Sequence, residues 1–311
     1  MSLNELWQGR TDSEDGVAGH RWHQRVVFDD NVEAGDTVIV GYPNDSGVAA
    51  NKGRTGASGG PNALRQAMAP LPFTLTGALR DTGDSELHPA LPLTQRAYRD
   101  KAAPYLRAGG HVLGLGGGHD IAWASWQSLH QAFGDARIGI INLDAHLDLR
   151  RCDEVTSSGT PFRQIAEYSQ QHGMDFHYAC LGVSAASNTP ALFDYAAKTN
   201  TIIVQDIAFS ASQCAQAVMP LLEAVDTLYV TICMDAFPAA SAPGVSAPAA
   251  IGISPAESIA FLRWLSDETR QRQVSWCLSD IAELNPVFDK QAKTARLAAR
   301  MAFELAHAMH G

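Results

Sequence analysis

The run Ile138–Ile141 and the segment that follows it, Asn142-Leu-Asp-Ala-His-Leu-Asp148, constrain this chain more than any other stretch. A run without a charged or polar side chain marks a strand covered on both faces, the kind found in a parallel sheet. Alternate residues of an extended segment share one face, so the exit from this strand would aim Asp144, His146 and Asp148 into one space. Two carboxylates and an imidazole cannot pack there as apolar core, and something positive is expected among them. Taken alone, the pattern also suits a polar loop with one satisfied histidine.

Two further segments repeat the arrangement. Val112–Leu115 is apolar and runs into Gly116-Gly-Gly-His119-Asp120, where glycines let the backbone turn and deliver His119 at the strand end. The glycines have neither the G-x-G-x-x-G spacing of a dinucleotide fold nor the terminal Lys-Ser/Thr of a phosphate loop. Thr231-Ile-Cys233-Met-Asp235 is again an apolar strand ending in polar groups two apart, and its simplest alternative is a structural strand end.

Composition narrows the function classes. A formal charge of -10 over 311 residues argues against a general nucleic-acid binder. Five cysteines, at 152, 180, 214, 233 and 277, show no C-x-x-C spacing and read as thiols. Met1 to Arg10 contains no continuous apolar stretch, and no uncharged run approaches the length of a membrane span. A cytoplasmic protein is expected.

The chain reads as one α/β domain over residues 1–311, with residues 1–33 a polar, irregular N-terminal arm anchored by Trp7 and Trp22. Strands are expected at Asp36–Gly41, Phe73–Leu79, His111–Leu115, Arg137–Leu143, Tyr178–Val183, Thr201–Val204, Thr227–Cys233 and Gln273–Leu278. Helices are expected at Pro61–Met68, Thr94–Arg107, Ile121–His130, Phe162–His172, Ala211–Val225, Ser254–Leu265 and Lys290–Met309, and Asn44–Gly60 reads as a long loop. Apolar strands alternating with helices imply a parallel sheet covered on both faces, with ligands beyond the carboxyl ends of its strands.

In order along the chain, G-G-G-H-D, N-x-D-A-H-x-D and T-x-C-x-D resemble the three metal-binding motifs of the ureohydrolase family, which includes arginase, agmatinase and formimidoylglutamase. The resemblance continues through Val245-Ser-Ala-Pro248 and Glu283-Leu-Asn-Pro286. It implies a three-layer α/β/α sandwich with an eight-stranded, mainly parallel sheet, and a homo-oligomer. One position departs from the family: its third motif normally begins with an aspartate that bridges two manganese ions, and here that residue is Cys233.

The ligand set is too large for one tetrahedral zinc, and its oxygen content favours manganese. Carried over by position, the resemblance gives one Mn2+ to His119, Asp144, Asp148 and Cys233 and a second to Asp144, His146, Cys233 and Asp235. Two such ions roughly 3.5–4 Å apart would activate a water between them. Asp148 would carry its proton to the leaving nitrogen, and Glu283 would hold the cationic end of the substrate. Arginase has a histidine soon after the second motif, whereas the corresponding loop here, Ser157-Ser-Gly-Thr-Pro-Phe-Arg163, has none. Arg150, Arg151 and Arg163 instead suit carboxylates; Arg151 equally suits a solvated position, and Arg150, Ser158, Arg163 and Glu283 make up the candidate substrate site. The loop resembles the formimidoylglutamase branch, which implies hydrolysis of a small acidic amidine, N-formimidoyl-L-glutamate, to glutamate and formamide. Another ureohydrolase, such as an agmatinase or guanidino-acid hydrolase, and a non-catalytic metal- or ligand-binding relative are the alternatives.

Overall fold

Nine strands form one sheet in the computed structural model, which describes residues 1–152 and 155–310. They are β1 (Val26–Val27), β2 (Thr37–Gly41), β3 (Leu79–Asp84), β4 (His111–Leu115), β5 (Ile138–Leu143), β6 (His177–Val183), β7 (Ile202–Gln205), β8 (Thr227–Cys233) and β9 (Ser275–Ala282). Every pairing is parallel and the order is β1-β3-β2-β4-β9-β8-β5-β6-β7. The helices are α1 (Leu3–Leu6), α2 (Trp22–Arg25), α3 (Ser46–Ala50), α4 (Gly60–Met68), α5 (Leu91–Arg107), α6 (Ile121–Phe133), α7 (Pro161–Gln171), α8 (Pro190–Lys198), α9 (Ala211–Ala224), α10 (Pro255–Arg272) and α11 (Lys293–His310).

The alternation of strand side chains creates the layers. Ile39, Leu113, Leu115, Ile141, Leu143, Val230 and Ile232 face a core shared with α4, α9, α10 and α11. Their neighbours Val38, Val40, Val112, Ile140 and Tyr229 face a second core shared with α5, α6, α7 and α8. The result is the expected α/β/α sandwich. Among the described residues no helix is long and apolar enough to cross a membrane.

The expected strand at Phe73–Leu79 lies instead at Leu79–Asp84. Its polar residues disguise it: Asp81 is fully paired with Arg65 of α4, which is buried, and also accepts the indole N–H of Trp7. Trp7 and Trp22 are both buried in the core shared with α4 and α11, and the segment carrying them contains α1, α2 and β1. The ninth strand is the two-residue β1, within that segment.

Strand order is what places the functional residues. Between β4 and β5 the chain leaves a gap that β8 and β9 later fill, so β4, β9, β8 and β5 stand side by side at the sheet centre. Their ends are level: Leu115 pairs with Ile281, Cys233 with Ala282 and Ile232 with Leu143. All three sequence motifs and Glu283 lie at or just beyond these four ends.

Candidate metal centre

The glycines before His119 serve close approach. None of Gly116, Gly117 and Gly118 has a positive φ, but a Cβ on Gly117 would lie 2.0 Å from the Asn44 carbonyl oxygen, and the Gly118 N–H donates to that same oxygen. Held in this way, the loop places the buried His119 ring with Nδ1 2.9 Å from Asp144 Oδ2 and 3.1 Å from Asp148 Oδ2. On the other side of Asp144, His146 Nδ1 stands 3.5 Å from Oδ1 and 3.2 Å from Asp235 Oδ2. Asp144 therefore offers one oxygen to each histidine.

Two groups of ligand atoms result, His119 with Asp144 and Cys233, and Asp144 with His146 and Asp235; within each, the atoms lie no more than 4.8 Å apart. That is about the spread across one ion with ligand bonds of roughly 2.0–2.3 Å. Asp235 Oδ1 and Glu283 Oε2 are buried without a hydrogen-bond partner among the described residues. Such atoms are costly unless something else satisfies them. The donor set fits two divalent ions sharing Asp144, and Asp148 lies beside the first of them.

Electrostatics point the same way. Against the burial that would lower it, Asp235 and Asp144 push His146 up to about 12, and Asp144 and Asp148 raise His119 as well. Burial and the charge of Asp144 push Asp148 up to about 6, and burial and Asp235 push Glu283 up to about 8. Burial, then the charge of Asp144, lifts the Cys233 thiol. Carboxylates crowded together with protons drawn onto histidines are a site short of positive charge, which bound cations supply.

Neighbouring residues fix the ligands. Asp280, buried in β9, accepts from Ser125, Tyr229 and Thr231 at 2.5, 2.6 and 2.5 Å. With its hydroxyl proton committed to Asp280, Thr231 accepts at 3.0 Å from His119 Nε2–H, which leaves the Nδ1 lone pair for a metal. Asn188 clamps the second motif by accepting from the Leu147 N–H and donating to the Ala145 carbonyl. The sequence assigns no role to Thr231, Asp280 or Asn188, although Thr231 opens the third motif at the end of β8. Thr231→Val is expected to lower metal affinity about 10- to 100-fold while Thr231→Ser retains it. Competition with a chelating dye checks this, and equal affinity in both variants would leave Thr231 without an orienting role.

Asp148 and Glu283 share a backbone oddity, left-handed φ values of 47° and 66°. Non-glycine residues hold that conformation at a cost, and such residues collect at functional sites. Both line a cavity of about 320 Å³ together with His119, His146, Cys233 and Asp235. Ser158 and Arg150 line it too, and so do Lys52 and Arg54 from the loop after α3, to which the sequence assigns no role. Among the described residues none of these three cations is paired with an acid. Arg54 is fixed by the Val245 and Ser246 carbonyls and lies 4.1 Å from the centre of the Phe288 ring. Arg163 stands elsewhere: its guanidinium pairs with Glu167, covers the Tyr195 ring and lines a neighbouring cavity that Arg150 and Arg151 also border.

The sequence model of the Arginase family matches residues 35–308. A formimidoylglutamase of Hahella chejuensis is 44% identical over 313 residues, spanning 98% of this chain and 95% of its own. A Vibrio cholerae formimidoylglutamase is 45% identical over 333 residues, spanning 99% and 96%. Among solved structures, formimidoylglutamase from Bacillus subtilis superposes with a TM-score of 0.84 at 20% identity, over 97% of this chain and 94% of that one, a likeness of fold. Trypanosoma cruzi formiminoglutamase with Mn2+ gives 0.78 at 25% identity, over 94% and 98%.

Proposed function

The chain belongs to the arginase family, and from that premise we propose that it is a binuclear-manganese hydrolase that cleaves N-formimidoyl-L-glutamate to L-glutamate and formamide. The observation that carries the reading is one cavity lined both by His119, His146, Cys233 and Asp235, candidate ligands grouped around the buried Asp144, and by three cations without acidic partners among the described residues. Agmatine has no carboxylate for those cations to meet. Two bound Mn2+ ions would supply Lewis acidity and activation of water.

The chain's own residues supply the rest. Asp148, beside His119 and open to the cavity, takes a proton from the attacking water and delivers it to the departing nitrogen, so that glutamate leaves as an amine and the amidine carbon becomes formamide. Glu283 is held by the His119 N–H through Oε1 at 3.0 Å, and its Oε2, without a partner among the described residues, faces the amidinium nitrogens. Arg150, Arg54 and Lys52 take the two carboxylates, with Ser158 at the same wall. The reading includes a cytoplasmic location, supported by five cysteines joined in no disulfide, and a homo-oligomer, which sedimentation would test.

An Arg contact to a desolvated carboxylate contributes roughly 1.5–3 kcal/mol, so Arg150→Ala and Arg54→Ala are each expected to lower kcat/KM for formimidoylglutamate about ten- to a hundredfold. Hydrolysis of an amidine with a neutral tail should not fall comparably. Arg163→Ala should leave this preference intact, because its guanidinium is already committed to Glu167 and Tyr195. Release of formamide and glutamate, followed for both substrates, checks the set; unchanged selectivity in the Arg150/Arg54 double variant would return the substrate to open.

A further inference from the structure

Cys233 stands where the family resemblance implies an aspartate bridging two ions, and its surroundings show what the exchange does. The residue is buried, and its sulfur lies with His119 Nδ1 and an Asp144 oxygen in one ligand group whose atoms fall within 4.8 Å of one another. The other group, Asp144, His146 and Asp235, contains only nitrogen and oxygen. His119 Nδ1 is buried, lies 2.9 Å from Asp144 Oδ2, and with Cys233 Sγ completes the first group. The second buried thiol nearby is differently occupied: Cys180 Sγ lies 3.2 Å from the His146 carbonyl oxygen, and it belongs to neither ligand group.

We infer that the two metal positions of this chain are chemically unequal, the His119–Asp144–Cys233 position being thiolate-ligated and selective for a softer divalent ion such as Co2+, Fe2+ or Zn2+ over Mn2+. The inference rests on the binuclear reading above and adds a preference to one half of it. Thiolate is a soft, single-atom donor, and manganese is the weakest binder of the first-row series on mixed nitrogen, oxygen and sulfur ligands. An aspartate at 233 would present two hard oxygens. Manganese therefore binds the oxygen-rich position well and the Cys233 position weakly, and a softer ion displaces it there first.

The test uses the full-length, metal-depleted protein with Co2+ and Mn2+ as probes. Cobalt should bring up a near-ultraviolet thiolate-to-metal charge-transfer band as it fills the Cys233 position, and Cys233→Ser should bind cobalt without that band. Equilibrium dialysis with metal analysis should show the ratio of Co2+ to Mn2+ affinity falling about tenfold or more in Cys233→Asp, a ligand exchange acting at least as strongly as the loss of an orienting contact. Cobalt bound to the wild type without the band, a band surviving in Cys233→Ser, or the same affinity ratio in wild type and Cys233→Asp would each overturn the inference while leaving the hydrolase reading in place. Failure of the wild type to bind any divalent ion would instead sink the reading on which it rests.

Discussion

Asp148→Asn is expected to lower kcat for formimidoylglutamate by about 10²–10⁴-fold at saturating metal, the usual worth of a positioned proton carrier. The substitution keeps the size of the side chain and one oxygen for a metal, and it removes the group able to take and return a proton. Position favours this role: Asp148 Oδ2 is 3.1 Å from His119, the side chain lines the substrate cavity, and the left-handed backbone holds it there. In the metal-free site, burial and the charge of Asp144 push this carboxyl up to about 6. Saturating metal separates the proton role from ligation, because a ligand defect is corrected by mass action and a proton-transfer defect is not. An Asp148→Asn enzyme within tenfold of wild-type kcat under those conditions would assign the proton to another group.

The legible parts of this molecule are those where one residue type has few alternatives. β4 and β8 fall on their expected bounds because apolar runs end abruptly in Gly116 and in the Met234-Asp235 turn. The candidate ligands stand out because carboxylates and imidazoles close together after such strands have no place in a core. Polar residues satisfied by distant partners were not legible. β9 runs to Ala282 past its expected end at Leu278, since Asp280 is accommodated by hydroxyls from β8 and α6. β3 was displaced for the same reason, with Arg65 supplying the partner. Helix α8, at Pro190–Lys198, was missed altogether, although Thr189 followed by proline is a recognisable start. The cations of the cavity follow the same rule: Lys52 and Arg54 sit in a loop whose composition carries no sign of what it faces, whereas Arg150 was found because it is two residues from Asp148.

Chelation is expected to abolish activity, and restoration should require two equivalents of Mn2+ per chain. The requirement comes from Asp144, which directs one oxygen toward His119 and the other toward His146, so that filling one position leaves the second histidine and its carboxylate without their counter-charge. The two equivalents should not act alike. The first fills the position of Asp144, His146 and Asp235, while the second meets Cys233 and needs excess manganese, so activity should rise late in the titration. Affinity should also weaken as pH falls. His146 is pushed up to about 12 in the metal-free site, so each ion must displace protons, and a higher proton concentration opposes that displacement. Calorimetry in buffers of different ionisation enthalpy counts the released protons, and activity against added manganese counts the ions. Full activity at a single equivalent would show that one ion suffices, and the shared aspartate would then be a structural feature of a mononuclear enzyme.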